Sequence, residues 1–174
     1  MKRHNPKKSQ FLAVKPLVFA FSAALSGAAF ALPTLPNVVS GNVNMAQNGN
    51  QLIINNSNGS IINWGSFSIG ADELVRFNQA SSSSAVLNRV TGSDPSVLLG
   101  ILQSNGKVFL VNPAGIFVGA GARIDVGAFV ASTLNISDAN FKANNLHFEG
   151  LGNTGQIKNE GIIKTPEGGQ IYFI

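Results

Sequence analysis

The chain has 174 residues, 12 basic and 8 acidic residues, a formal net charge of +4 and no cysteine. The missing cysteine excludes a disulfide framework and any His-Cys metal site or Cys-His nucleophile. Lys2, Arg3, Lys7, Lys8 and Lys15 all precede residue 16, and the chain from residue 32 on keeps seven basic and eight acidic residues, a net −1 with no basic patch for nucleic acid.

Residues 1–31, "MKRHNPKKSQFLAVKPLVFAFSAALSGAAFA", have a cationic head, an apolar stretch and the small-x-small end Ala29-Phe30-Ala31. This is the pattern of a secretory signal peptide, with cleavage expected after Ala31. The alternative is a membrane anchor, but the apolar part from Pro16 to Ala31 is short for a span of about 20 residues. Cleavage would leave residues 32–174, enough for one domain with a core. An exported chain without cysteine carries no disulfide loop to hinder threading through a narrow outer-membrane pore. A fold that needs no staples accounts for the same fact.

From Leu32 onward the pattern is mostly strand. Short apolar runs such as "QLIINN", "SIINWGSFSIG", "KVFLVN" and "GQIYFI" are bounded by turn formers. Asn48-Gly49, Asn58-Gly59 and Asn105-Gly106 are expected at tight turns, where they tolerate positive φ. Ser81 to Ser84 reads as a solvated loop. Ile136 to Asn145 is the one candidate for a short helix or irregular excursion, capped by Ser137 or Asp138 and packed through Phe141.

A rhythm runs through these strands. Asn153-Thr154-Gly155-Gln156-Ile157 is followed by Asn159-Glu160-Gly161-Ile162-Ile163, and Gly59-Ser60-Ile61, Gly106-Lys107-Val108 and Gly169-Gln170-Ile171 share the Gly-x-apolar core. A glycine at a corner with an apolar residue two places on fits a solenoid of stacked coils. A sandwich also gives short strands, with more regular hairpins. The expected fold is all-β, a single-stranded right-handed parallel β-helix of the pectin-lyase-like type. Rungs of about 20 residues predict roughly seven coils, about 34 Å tall. Ile61, Val108, Leu110, Ile124, Ile157 and Ile163 are expected to point inward.

Several motifs, in order and at matching spacing, resemble a known family: "IINWGSFSIG", "VRFNQ", "AVLNRVTGSDPSVLLGILQSNGKVFLVNPAGIFVGAGARIDVGAFVASTL" and "FEG". They are similar to the N-terminal secretion domain of filamentous haemagglutinin-like exoproteins and adhesins, the haemagglutination activity domain family, most like the high-molecular-weight adhesin branch. Asn112-Pro113-Ala114-Gly115-Ile116 resembles the family's Asn-Pro-Asn-Gly-Ile secretion motif, with Ala114 in place of the middle Asn. The family's second motif, Asn-Pro-Asn-Leu, has no counterpart; the similar region reads Phe77-Asn78-Gln79-Ala80.

The resemblance implies a secretion domain exported by two-partner secretion, through the periplasm to the cell surface or medium. The implied partner is an outer-membrane β-barrel transporter whose periplasmic modules recognise the domain, by strand addition to an open edge as one general mode. Two readings of Asn112, Pro113, Gly115 and Ile116 stay open: a corner whose Asn112 bonds nearby backbone while Ile116, Val118, Ile124 and Val126 fill the core, or direct contact with the transporter. With one side-chain bond at Asn112, a Val at position 115 is expected to harm export more than an Ala at position 112.

Catalysis finds little support. His147 is the only histidine after residue 31, and with Glu149 it reads as a surface strand pair. Arg123 and Asp125, two apart, share a strand face and read as a surface ion pair. Asp94, Asp125 and Asp138 are dispersed, without calcium-loop spacing. "NIS" at Asn135 matches a glycosylation acceptor only by chance. The chain is therefore read as a non-enzyme with no metal or cofactor, expected to be a monomer that binds no nucleic acid. The alternatives are a small self-contained adhesin for host glycan or protein and, less favoured, a polysaccharide-active β-helix enzyme. The apolar end "GGQIYFI" is read as a truncation, so that any host-cell binding would reside in a missing C-terminal part.

Overall fold

The computed structural model describes residues 32–150, 152 and 155–174. The expected signal peptide with Ala29 and Ala31 lies outside these residues, as do Asn153 and Thr154 of the repeat. Among the described residues, no helix is long and apolar enough to cross a membrane.

The chain opens with β1 (Asn37–Ser40) and β2 (Val43–Asn48), then runs into β3 (Gln51–Asn56) and β4 (Ser60–Trp64). β1 and β2 pair antiparallel with β4 and β3 and cap one end of the stack. The coils follow as β5 (Leu74–Gln79) with β6 (Ala85–Val90), then β7 (Ser96–Leu98), β8 (Ile101–Ser104) and β9 (Lys107–Val111), then β10 (Ile116–Val118), β11 (Arg123–Asp125) and β12 (Ala128–Ser132). An insertion carries β13 (Asn135–Ile136), α1 (Asp138–Lys142) and β14 (Phe148–Glu149). The last coil is β15 (Ile157–Asn159), β16 (Ile162–Lys164) and β17 (Ile171–Phe173).

Apart from the cap, the stacked strands are parallel and form three faces: β4-β6-β9-β12-β17, β3-β5-β8-β11-β16 and β7-β10-β15. The fold is the expected parallel β-solenoid. The stack has about four turns, not seven. Five strands on each long face leave four steps, about 19 Å. Three features consume most of the missing coils: residues 32–50 form the cap and its turn ahead of β3, Ile61 pairs with Leu87, so that the first coil takes 26 residues, and the insertion separates Val130 from its partner Tyr172 by 42. Between them Leu87, Phe109 and Val130 advance by 22 and 21 residues, close to the expected rung.

Strand alternation decides which side chains fill the interior. Val108, Leu110, Ile116, Val118, Ile124 and Val126 are buried in the main core with Trp64, Phe77 and Phe129. Ile157 and Ile163 pack against that core half-buried, since they belong to the last coil. Ile61 departs from expectation. It is fully buried, but on the opposite face of β4 from Ile62 and Trp64. There it joins an outer ladder with Leu87, Phe109 and Val130, covered by Ile136 and Phe141 of the insertion. Inside the stack the buried Trp64 Nε1 donates to Asn88 Oδ1 at 3.0 Å, and Asn88 Nδ2 donates to the Phe109 carbonyl at 3.2 Å.

The insertion is built as its sequence indicates. Ser137 caps α1 by accepting from the Asn140 N–H, with Asp138 in the first turn and Lys142 in the last, each favourable to the helix dipole. Phe141 meets Phe109 edge-to-face at 5.2 Å. Phe141→Ala is expected to cost about 3 kcal/mol, since it empties this outer core; chemical denaturation measures it. Of the Ser81–Ser84 run, the first three are exposed and Ser84 turns inward. Gly49 and Gly59 have the expected positive φ, whereas Gly106 does not.

Candidate functional site

The corner from β9 into β10 is the segment Asn112-Pro113-Ala114-Gly115. The Gly115 N–H donates to the Asn112 carbonyl at 3.0 Å and closes a four-residue turn. Asn first, Pro second and Gly fourth are the residues such a turn prefers. Asn112 is completely buried. Its Nδ2 donates to the Asp94 carbonyl at 3.0 Å and to Ser96 Oγ at 2.9 Å, while its Oδ1 accepts from the Ala114 N–H at 2.9 Å. One amide therefore ties its own turn to the preceding coil. The sequence led us to expect one such bond; the structure has three.

Gly115 has φ +122, and a Cβ there would lie 3.0 Å from the Gln156 carbonyl oxygen of the next coil. A Cβ on Gly155 would in turn collide with the Pro113 carbonyl. The two glycines let successive corners stack at backbone distance. Ile116 is a core residue, and its N–H donates to the Gln156 carbonyl at 2.9 Å. Pro113 and Ala114 are half-buried and line a cleft of about 1050 Å³ with Arg89, Thr91, Ser93 and Asp138. The motif is thus divided: Asn112, Gly115 and Ile116 are internal, and Pro113 and Ala114 face the cleft.

Arg89 lines the same cleft, and in the chain it stands out only as a lone charge in "AVLNRV". Its Nε donates to Asn135 Oδ1 at 3.1 Å, its Nη1 to Asn63 Oδ1 at 3.2 Å, and its Nη2 to the Ile136 carbonyl at 2.7 Å and to Asp138 Oδ1 at 2.8 Å. This fork, which a lysine could not reproduce, fastens the insertion to the stack. In the Phe77–Ala80 region, Phe77 is core and Gln79 Nε2 donates to Ser104 Oγ and the Lys107 carbonyl, each at 3.0 Å.

The remaining candidates do not converge. Arg123 and Asp125 share the exposed face of β11, yet no ion pair joins them among the described residues. His147 Nε2 and Glu149 Oε1 are 3.0 Å apart on the exposed insertion. Asp94 serves through its carbonyl, and Asp138 pairs with Arg89. The Asn135 side chain is held by Arg89. No group of three or more metal-ligating side chains occurs among the described residues.

Fold and corner together define a class, a parallel β-solenoid of the secretion-domain kind with its motif built into the stack. The chain belongs to the TPS (two-partner secretion) secretion domain family, which matches residues 31–173. The HMW1 secretion domain from Haemophilus influenzae superposes with a TM-score of 0.73 at 46% identity, over 75% of this chain and 36% of that one. A heme/hemopexin-binding protein of H. influenzae strain Rd is 34% identical over 150 residues, 84% of this chain and 17% of the relative. Another H. influenzae protein of that name is 35% identical over 101 residues, 58% of this chain. The chain spans 17% and 11% of the length of these two curated relatives. A domain of this family implies an exported protein and, in general, a cognate outer-membrane transporter.

Proposed function

We propose that this domain is a non-enzymatic export signal in folded form. The signal peptide takes the chain across the inner membrane and is removed after Ala31. Periplasmic modules of the outer-membrane transporter then recognise the domain, and the polypeptide passes to the cell surface or medium. Asn112, Pro113, Gly115 and Ile116 act in this through folding: the corner sets the register of each new coil on the last. What supports this reading above all is the complete burial of Asn112 within three hydrogen bonds, which leaves it nothing to offer a partner. The binding named for the Haemophilus relatives concerns proteins several times longer, and only the export step is assigned to this domain.

Co-expression with the cognate transporter tests the proposal. Across substitutions at Asn112, Gly115 and Pro113, the secreted fraction should track the melting temperature of the purified domain. A Pro113 or Ala114 variant of unchanged stability that blocks export would move the function to the cleft. N-terminal sequencing of exported protein should begin at Leu32; residues retained ahead of it would contradict the cleavage site.

A further inference from the structure

We infer that Asn48 is a spontaneous modification site, at which the folded domain loses ammonia and acquires isoaspartate, while its two other Asn-Gly pairs are protected. In an Asn-Gly pair the glycine backbone nitrogen attacks the asparagine Cγ. A C–N bond forms, the Cγ–Nδ2 bond breaks, and the glycine N–H proton passes through solvent to the departing nitrogen, which leaves as ammonia. Water then opens the cyclic imide at either carbonyl, giving aspartate or isoaspartate. No oxidant or cofactor is involved. The reaction needs a free nucleophile and a side chain free to swing toward it.

All three asparagines are exposed, so exposure does not separate them. Hydrogen bonding does. At Asn58 the Gly59 N–H donates to the Ala85 carbonyl at 2.9 Å, and Asn58 Oδ1 accepts from the Ala85 N–H at 2.9 Å. At Asn105 the Gly106 N–H donates to Ser104 Oγ at 3.0 Å. Asn105 Oδ1 accepts from the Gln79 N–H at 2.7 Å, and its Nδ2 donates to the Gln79 carbonyl at 2.8 Å. In both pairs the nucleophile is engaged and the electrophile is tied to the neighbouring coil.

Asn48 has neither restraint. It ends β2 opposite Gln51, and Gly49 turns the hairpin with φ +57. Among the described residues, neither the Asn48 side chain nor the Gly49 N–H has a hydrogen-bond partner; only the Gly49 carbonyl is used, by Gln47 Nε2 at 3.3 Å. The difference arises because β2 is the outermost strand of its sheet: the turn is tied to the β5 coil only through Asn50, whose carbonyl accepts from the Leu74 N–H at 2.9 Å and whose Nδ2 donates to the Asp72 carbonyl, and no coil lies beyond β2 to hold Asn48. The modification adds one negative charge there. Isoaspartate also lengthens the main chain at the last pair of the capping hairpin, which weakens the β2–β3 register.

The test is to incubate the folded exported domain in mildly alkaline buffer and follow all three sites by peptide mapping, with fragmentation that separates isoaspartate from aspartate. Two or more hydrogen bonds must open at Asn58 and Asn105, so Asn48 should react roughly tenfold faster or more. An acidic variant should accumulate on ion exchange and be absent from Asn48→Gln. In urea the three rates should converge. Asn48 reacting no faster than Asn58 and Asn105 in the folded domain would overturn the inference. The same rate order persisting in urea would also overturn it, since sequence and not structure would then set the rates.

Discussion

Asn112→Ala is expected to destabilise the domain by about 2–4 kcal/mol and to reduce export in proportion. The substitution removes three hydrogen bonds and leaves the Asp94 carbonyl, Ser96 Oγ and the Ala114 N–H without their partner in or near the core. Each bond contributes about 0.5–1.5 kcal/mol net, and a buried group left unpaired costs more. Gly115→Val forces a β-branched residue to φ +122 against the Gln156 carbonyl, at about 1–3 kcal/mol. The structure thus reverses the order expected with one bond at Asn112: Asn112→Ala should now be the more harmful of the two. For a domain of this size each kcal/mol lowers the melting temperature by about 2–4 °C, so thermal unfolding resolves the ranking. Loss of export in Asn112→Ala at an unchanged melting temperature would make Asn112 a recognition residue.

Arg89→Ala is expected to release the insertion while the solenoid stays folded, at about 2–3 kcal/mol. Four hydrogen bonds from one largely buried guanidinium hold Asn135, Ile136 and Asp138 to the stack and reach Asn63 on the neighbouring coil. Removing it leaves the Phe141–Phe109 contact as the main tie of α1. Hydrogen exchange should therefore rise across residues 135–148 and stay low in β6, β9 and β12. Arg89→Lys should behave similarly, because an ammonium cannot span four acceptors in this planar arrangement. Exchange that rises evenly through the stack would mean that Arg89 supports the coils themselves.

Much of this domain is local and therefore legible in the chain. Ser137 and Phe141 mark the cap and the packed face of α1 within a handful of residues. The Asn112–Gly115 corner uses turn preferences that belong to those four positions. Val108, Leu110, Ile124 and Val126 follow the two-residue alternation of strands, and all four are interior. Ser60-Ile61-Ile62 shows where that logic stops. When adjacent residues on both faces of a strand are apolar, alternation separates the faces but does not say which is inside. At Ile61 the insertion buries the outer face, and it does so from more than 70 residues away in sequence.

The number of coils escaped for a related reason, since nothing local distinguishes a 21-residue rung from a coil that carries an excursion before it returns to register. Likewise the chain displays Asn112 but not Asp94 and Ser96, its partners 18 and 16 residues earlier. The corners, the strand period and the helix cap can be read along the chain, because each depends on neighbours in sequence. Stacking decided the turn count, the second core under the insertion, the Arg89 fork and the burial of Asn112, because these arise only where one coil meets the next.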